Sequence, residues 1–307
     1  MPNVSREYLQ TTSDDPDYFV IYKTYVDPAI YVIIIILGLT FNGTLLIMFL
    51  RHKEIRTTGN IMILNLTVCD LLNICINAPL HYSFHYYKNE LNNVLLCRII
   101  TAVRQFFRCV SASSLLALSV QRYCATNPRV QYFNSRCRVA SFVLVVWVFP
   151  LGVAVPPSVT WDFYRRMCSY YNKNNTTTRL VIILTAVLYC VVFPALVLGF
   201  NLLTARRLRH SAHAFPGETG HSIKSRRKRS AGVVTSLAVL YVISYVPYWV
   251  WCSFVYNYDV DRHSGVVLFT EYVFKYLLFA DACFNPLTLY FTSITFKNMF
   301  RRYMCCS

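Results

Sequence analysis

VLLCRIITAVRQFFRCVSASSLLALSVQRY, residues 94–123, is long enough as a helix to cross a bilayer, yet it contains Arg104, Arg108 and Arg122. A spanning helix takes about 20 mostly apolar residues. Arg108 follows Arg104 by four positions and Arg122 follows it by eighteen. Eighteen residues make five turns at about 3.6 residues each, so one stripe of the helix holds all three. A charge at mid-bilayer costs about 2.5–3.5 kcal/mol on the insertion scale. The stripe must therefore face the interior of a bundle. At about 1.5 Å per residue, Arg104 lies about 10 Å below Cys97 and Arg108 about 16 Å below it, depths that suit the wall of an outward-opening chamber.

Six more apolar runs accompany this one, near 29–50, 61–86, 139–159, 179–204, 231–256 and 266–292, and with 94–121 they make seven. The 307 residues are 55% hydrophobic and only 14% charged, which excludes a pair of soluble domains. A mean hydropathy of +0.39 excludes disorder for most of the chain. The expected fold class is an all-α membrane protein, a seven-transmembrane helix bundle over 29–292. Residues 1–28 are polar and acidic and lack the apolar core of a removable signal peptide, so the first helix is expected to act as its own insertion signal.

The net charge of +16 raises the question of nucleic acid, and placement answers it. Eighteen bases, among them Arg51, Arg122, Arg136, Arg206, Lys228 and Arg301, fall on one side of the spans against only Glu54 and Glu218. The other side carries nine bases and nine acids. The positive-inside rule then puts residues 1–28 outside and 293–307 in the cytosol of a multi-pass plasma-membrane protein. The excess charge is topology, and no nucleic-acid partner is implied.

Cys97 and Cys168 fall on the outer, oxidising side, where a disulfide between them is expected. Asn3, Asn174 and Asn175 stand in outer glycosylation sequons. Cys305 and Cys306 follow Arg301 and Arg302 and read as palmitoylation sites. Before them, TFKNMFRRYM at 295–304 separates Phe296 and Phe300 from Lys297, Arg301 and Arg302, the pattern of a short amphipathic helix on the inner leaflet lipids.

LNLTVCDLL at 64–72 embeds Asp70 in apolar surroundings, and FADACFNPLTLY at 279–290 embeds Asp281 and Asn285. A carboxylate in hydrocarbon needs a cation, a base or a proton. Asp70, Ser111, Asp281 and Asn285 together would hold a small cation, Na+, or share a proton; a structural hydrogen-bonded network is the other reading. In the outer half, Arg104, Arg108 and Lys275 face Glu271 and Asp281, and Arg108 is expected to pair with Asp281. The upper sixth helix is crowded with Tyr241, Tyr245, Tyr248, Trp249 and Trp251 around Pro247, which permits a kink. Pro194 is a second breaker, in the fifth helix.

Taken in order, Asn42, Asp70, Cys97, Arg122, Trp147, Pro194, Pro247 and Asn285-Pro286 make the chain resemble rhodopsin-like (class A) G-protein-coupled receptors over nearly its whole length. NPLTLY at 285–290 and SAHAFPGE at 211–218 resemble the bombesin-receptor branch and its invertebrate CCHamide-type neuropeptide relatives. The resemblance implies an extracellular secreted peptide bound in the bundle, outward movement of the lower sixth helix, and a heterotrimeric G protein, of the Gq class, engaged at Arg122 and Tyr123. It also implies a sodium site at Asp70, Ser111 and Asn285, and a peptide pocket lined by Arg104, Tyr248, Glu271 and Lys275, to which Arg108 and Tyr245 are added as expected ligand contacts from their depth in the bundle. Four positions depart from the pattern. Gln121 replaces the acid before the arginine, which predicts raised basal activity. Tyr245 replaces a Trp toggle, Leu202 a Tyr, and Asp281 an Asn.

Other functions fit less well. A seven-span channel or transporter would show internal repeats or broken helix pairs, and the two halves show none. An opsin needs a lysine six residues before the Asn of the NP pair, where this chain has Phe279. No HExxH, GxSxG or phosphate-loop motif supports an enzyme. A receptor for a non-peptide ligand, or a constitutively active one, is the nearest alternative.

Overall fold

In a computed structural model, residues 21–87, 93–126, 135–164, 167–170, 176–214, 218–258, 264–293, 296–298 and 300–301 are described. Each expected span is a helix. α1 is Asp27–Arg51, α2 runs through Ile61–Leu72, Asn73–Asn77 and Ala78–Tyr87, α3 is Val94–Ala125 and α4 is Arg136–Val159. α5 runs through Thr176–Val187, Leu188–Val192 and Phe193–Ala214, α6 is Glu218–Asn257 and α7 is Gly265–Thr292. The all-α class holds with one addition. A short antiparallel hairpin, β1 (Trp161–Tyr164) and β2 (Met167–Tyr170), pairs Phe163 with Cys168 between α4 and α5.

Polarity is inverted relative to a water-soluble bundle. Asn42, Asp70, Asn77 and Ser114 are fully buried, whereas Ile36, Leu144 and Leu184 are more than half exposed. Such apolar surface requires lipid around it. α1, α2, α4, α5 and α6 contain spans that qualify on length and apolarity alone. α3 and α7 carry their charges within the span and turn them inward, with Arg108, Lys275 and Asp281 all buried. Buried and lipid-facing hydroxyls are satisfied locally, as where Thr67, Thr101 and Ser119 bond the carbonyl one turn back.

Prolines shape the helices that hold the site. Three π turns, Tyr22–Val26, Asn73–Asn77 and Leu188–Val192, each end two residues before a proline: Pro28, Pro79 and Pro194. Proline has no N–H to donate and its ring crowds the carbonyl four residues back; widening the turn relieves both problems. In α5 the widened turn brings Tyr189 into the core with no exposure. Pro247 and Pro286, in contrast, sit within uninterrupted α-helix.

α3 packs against α2, α4 and α5, while α7 lies against α1 and α6. The α1–α2 seam is tight. A Cβ on Gly38 would stand 2.1 Å from Ile74 Cδ1, on the widened turn of α2. Asn93 caps α3 by accepting from Leu95 N at 2.8 Å and Leu96 N at 3.4 Å. Four residues further on, Cys97 is buried and disulfide-bonded. After α7, Phe296 packs on Phe49 and Phe300 on Tyr290, while Arg301 is exposed. Asp27, assigned by sequence to the outer tail, is instead fully buried at the start of α1.

Candidate functional site

The half of the bundle at the amino-terminal end of α1, the outer half in the expected topology, gathers charge and hydroxyls from α1, α3, α6 and α7. The Tyr276 hydroxyl donates to Asp27 Oδ1 and lies 3.0 Å from the Tyr22 hydroxyl. Lys275 Nζ meets Glu271 Oε1 at 2.7 Å, one helical turn apart, and stands 5.4 Å from the centre of the Tyr272 ring. Glu271 and Arg104 keep partial exposure, while Lys275 and Tyr248 are buried.

Arg108 does not pair with Asp281. Its Nη2 donates to the Tyr248 hydroxyl at 3.3 Å, and its guanidinium lies over the rings of Tyr248 at 5.3 Å and Trp249 at 5.8 Å. Spacing along α3 predicted the depth of Arg108 but not its rotamer. Ser244 of α6 stands beside Asp281, and Tyr245 lies between the two levels, within electrostatic reach of both Asp281 and Arg108.

Below Arg108 an aromatic stack crosses from α5 to α6. Tyr189 lies parallel to Trp249, with centroids 4.6 Å apart at 6°, and stacks on Tyr245 at 6.4 Å. Tyr245 in turn stacks on Tyr241 at 4.5 Å. Gln105 of α3 donates to the Tyr189 hydroxyl at 3.2 Å. Tyr245 is therefore packed within this stack at 1% exposure, below the level of Tyr248 and Arg108. Sequence reading missed Tyr189 and Gln105. The signal that could have found Tyr189 is Pro194, five residues on, which widens the helix at that point.

At mid-depth, Asn285 Nδ2 donates to Asp70 Oδ2 at 2.9 Å, and Asp70 Oδ1 is buried with no hydrogen-bond partner. Ser111 stands beside Asp70 and Tyr245, and Asp281 is close enough to Asp70 to repel it. The four residues named from sequence thus converge. The atoms they could offer a cation are all oxygen, the Asn285 amide nitrogen serving only as donor to Asp70, and the orphaned Oδ1 offers a place for a small hard cation or a proton. Flanking bonds fix the frame. Asn42 Nδ2 donates to Ala282 O at 2.8 Å, Asn65 Nδ2 to Ser114 Oγ at 2.9 Å, and Trp147 Nε1 to Asn65 Oδ1 at 2.9 Å.

At the inner end, Gln121 Nε2 donates to the Thr58 carbonyl at 2.6 Å, tying α3 to the start of α2. Arg122 makes no hydrogen bond or ion pair among the described residues, and its Nε is buried and unsatisfied. The Tyr123 ring meets Phe200 at 5.6 Å, and the Arg207 guanidinium lies 4.3 Å from its centre. Leu289 is buried where the family pattern has Tyr, and Tyr290 turns instead toward Phe291 and Phe300. Asn3, Asn174, Asn175, Cys305 and Cys306 lie outside the described residues, as does the Cys168 side chain.

A heptahelical membrane bundle with a charged outer chamber, a buried carboxylate centre and an unpaired inner arginine has the build of a transmembrane receptor. The chain belongs to the 7 transmembrane receptor (rhodopsin) family, whose model matches residues 41–290. That family is a receptor class and not an enzyme class. The chain is 27% identical over 308 residues to the neuropeptide CCHamide-1 receptor of Drosophila melanogaster, covering 92% of this chain and 61% of that one. It is 24% identical to bombesin receptor subtype-3 of Ovis aries, over 100% of this chain and 80% of that receptor. Identity to the human endothelin receptor type B is 23%, over 92% and 68%. The chain thus spans about three-fifths of the length of the fly receptor. The resemblance to the bombesin branch and to CCHamide-type receptors, read from NPLTLY and SAHAFPGE, agrees with these relatives.

Proposed function

We propose that this chain is a neuropeptide receptor of the plasma membrane, amino terminus outside, that binds a secreted peptide between Arg104, Arg108, Tyr248, Glu271 and Lys275 and activates a heterotrimeric G protein of the Gq class. The observation that carries this reading is the separation of two sets of unsatisfied charge within one rigid frame. Among the described residues, Arg108 in the outer half has no counter-charge and Arg122 at the inner end has no acceptor. Peptide acceptors suit the first, and backbone carbonyls of an inserted partner helix suit the second. The stack Trp249–Tyr189–Tyr245–Tyr241 connects the level of Arg108 to the level of Asp281, so a ligand that moves Trp249 moves the lower α6.

The disulfide of Cys97 is assigned to Cys168, since β1 packs on α3 and carries β2 with it. Asp70, Ser111, Asp281 and Asn285 would hold Na+, which supplies a positive charge between two repelling carboxylates. Asn3, Asn174 and Asn175 are assigned as glycosylated, and Cys305 and Cys306 as palmitoylated beside the inner leaflet. The test is a calcium-release screen of cells expressing the chain against a library of secreted neuropeptides. At least one peptide is expected to release calcium only in cells expressing the chain. Ligand-independent current instead, or no response to any peptide with the chain at the surface, overturns the reading. For the bound cation, Asp70→Asn is expected to abolish the effect of replacing Na+ by choline on agonist affinity.

A further inference from the structure

We infer that Arg108 forms the floor of an anion site, and that the group it takes is a carboxylate of the ligand. The inference rests on the peptide-receptor reading and narrows the ligand class. Arg108 is 6% exposed on α3. Its contacts are the Tyr248 hydroxyl at 3.3 Å and the ring faces of Tyr248 and Trp249. None of these carries a formal charge, and Nε has no hydrogen-bond partner. A buried guanidinium is ordinarily matched by a carboxylate.

Among the described residues the acids that could match it face other groups. Glu271 pairs with Lys275 at 2.7 Å, Asp70 accepts from Asn285 at 2.9 Å, Asp281 stands beside Ser244, and Asp27 accepts from Tyr276. Arg104, one turn above, acts on the same Tyr248 hydroxyl as Arg108. Among the described residues the outer half therefore holds Arg104, Arg108 and Lys275 against Glu271 and Asp27. The shape of the site adds to its charge. The Tyr248 and Trp249 rings lie 5.3 and 5.8 Å from the guanidinium carbon and the Tyr248 hydroxyl uses one of the two N–H groups of Nη2, which leaves the other beside Nε–H on one edge for a ligand that displaces the side chains covering it. That planar edge fits a carboxylate, whose two oxygens accept in parallel. A carboxamide offers one oxygen and no compensating charge.

The same chemistry could come from a free inorganic anion, so the test separates the two sources. The full chain in lipid nanodiscs is unfolded thermally while sodium acetate is titrated at constant sodium and ionic strength, with acetamide as the neutral analogue and chloride as the inorganic one. Acetate is expected to raise Tm saturably, acetamide to leave it unchanged, and chloride to act more weakly than acetate. Arg108→Gln should abolish the acetate response, and Arg108→Lys should weaken it by about tenfold, because the forked edge is lost while the charge stays. Equal responses to acetate and acetamide, no acetate response, or an acetate response that survives Arg108→Gln would each overturn the site. A chloride response exceeding that to acetate overturns the carboxylate assignment. If Arg108→Gln does not fold, the acetate and acetamide comparison on the unaltered chain still decides. The titration needs no agonist, so a failed peptide screen sinks the receptor reading, and with it the assignment to a peptide, without touching the anion site at Arg108. Conversely, an agonist whose potency is unchanged after all its carboxylates are amidated overturns this inference and leaves the receptor reading standing.

Discussion

The outer and inner halves of the bundle are held together in different ways. In the outer half, side chains from different helices satisfy one another: Tyr22 with Tyr276, Tyr31 with His81, Gln105 with Tyr189, Arg108 with Tyr248. Among the described residues the inner ends of α3 and α5 carry buried polar atoms without partners, namely Gln121 Oε1, Arg122 Nε, Asn201 Nδ2 and Arg207 Nη1, and the outer half has its own in Arg108 Nε, Trp249 Nε1 and Trp251 Nε1. Native proteins rarely bury such groups unmatched. Both halves thus keep hydrogen-bonding capacity for something that arrives, but only in the outer one does that capacity sit within a network of side-chain bonds between helices.

If that contrast is right, the largest single loss should come from the outer stack. Tyr189 is fully buried between Phe193, Tyr245 and Trp249. Tyr189→Ala removes a large aromatic side chain from the packed interior, at an expected cost of about 3–5 kcal/mol. Purified variant and parent are compared by thermal unfolding in the same lipid. A shift no larger than that of a lipid-facing control such as Leu184→Ala would mean the stack is not what stiffens the outer half. Tyr189→Phe keeps the ring and loses only the Gln105 bond, with an expected cost of about 0.5–1.5 kcal/mol.

The α1–α2 seam gives an intermediate effect. Gly38→Ala places a methyl 2.1 Å from Ile74 Cδ1 and 3.3 Å from Cys283 Sγ. Ile74 is fully buried, so it can escape only by leaving its rotamer. Overpacking of this kind costs about 1–3 kcal/mol. Reduced surface expression, restored by Ile74→Val, is the expected result. Failure of the second substitution to restore it would place the strain elsewhere.

The seven spans were legible because lipid leaves a helix no choice: about 20 apolar residues must follow one another. The convergence of Asp70, Ser111, Asp281 and Asn285 was legible for the complementary reason, that polar groups in such runs must find one another. What was not legible depends on rotamer or on local backbone geometry. Arg108 has the depth its spacing predicts and a partner that spacing does not. Asp27 looked like one more acid of a hydrated tail, and only the position of Tyr276 on a distant helix buries it. WDFY and MCSY are too short to stand out from a loop, yet they pair as β1 and β2.

The smallest expected effect tests the inner half most directly. Gln121 stands where an acid would restrain Arg122, and its amide is instead spent on the Thr58 carbonyl at 2.6 Å. Nothing among the described residues then holds Arg122 in place, which accords with raised basal activity. One hydrogen bond contributes about 1 kcal/mol net, equivalent to about a fivefold change in a two-state ratio. Gln121→Asp adds the missing negative charge and should lower agonist-independent nucleotide exchange by about that factor. Gln121→Leu releases α3 from α2 without adding charge and should raise it. Both are read as basal exchange per receptor at the surface. If Gln121→Asp signals like the parent, the missing acid does not set the resting state. If Gln121→Leu also lowers exchange, the α2 tie belongs to the active state, and the inner half is already organised for its partner.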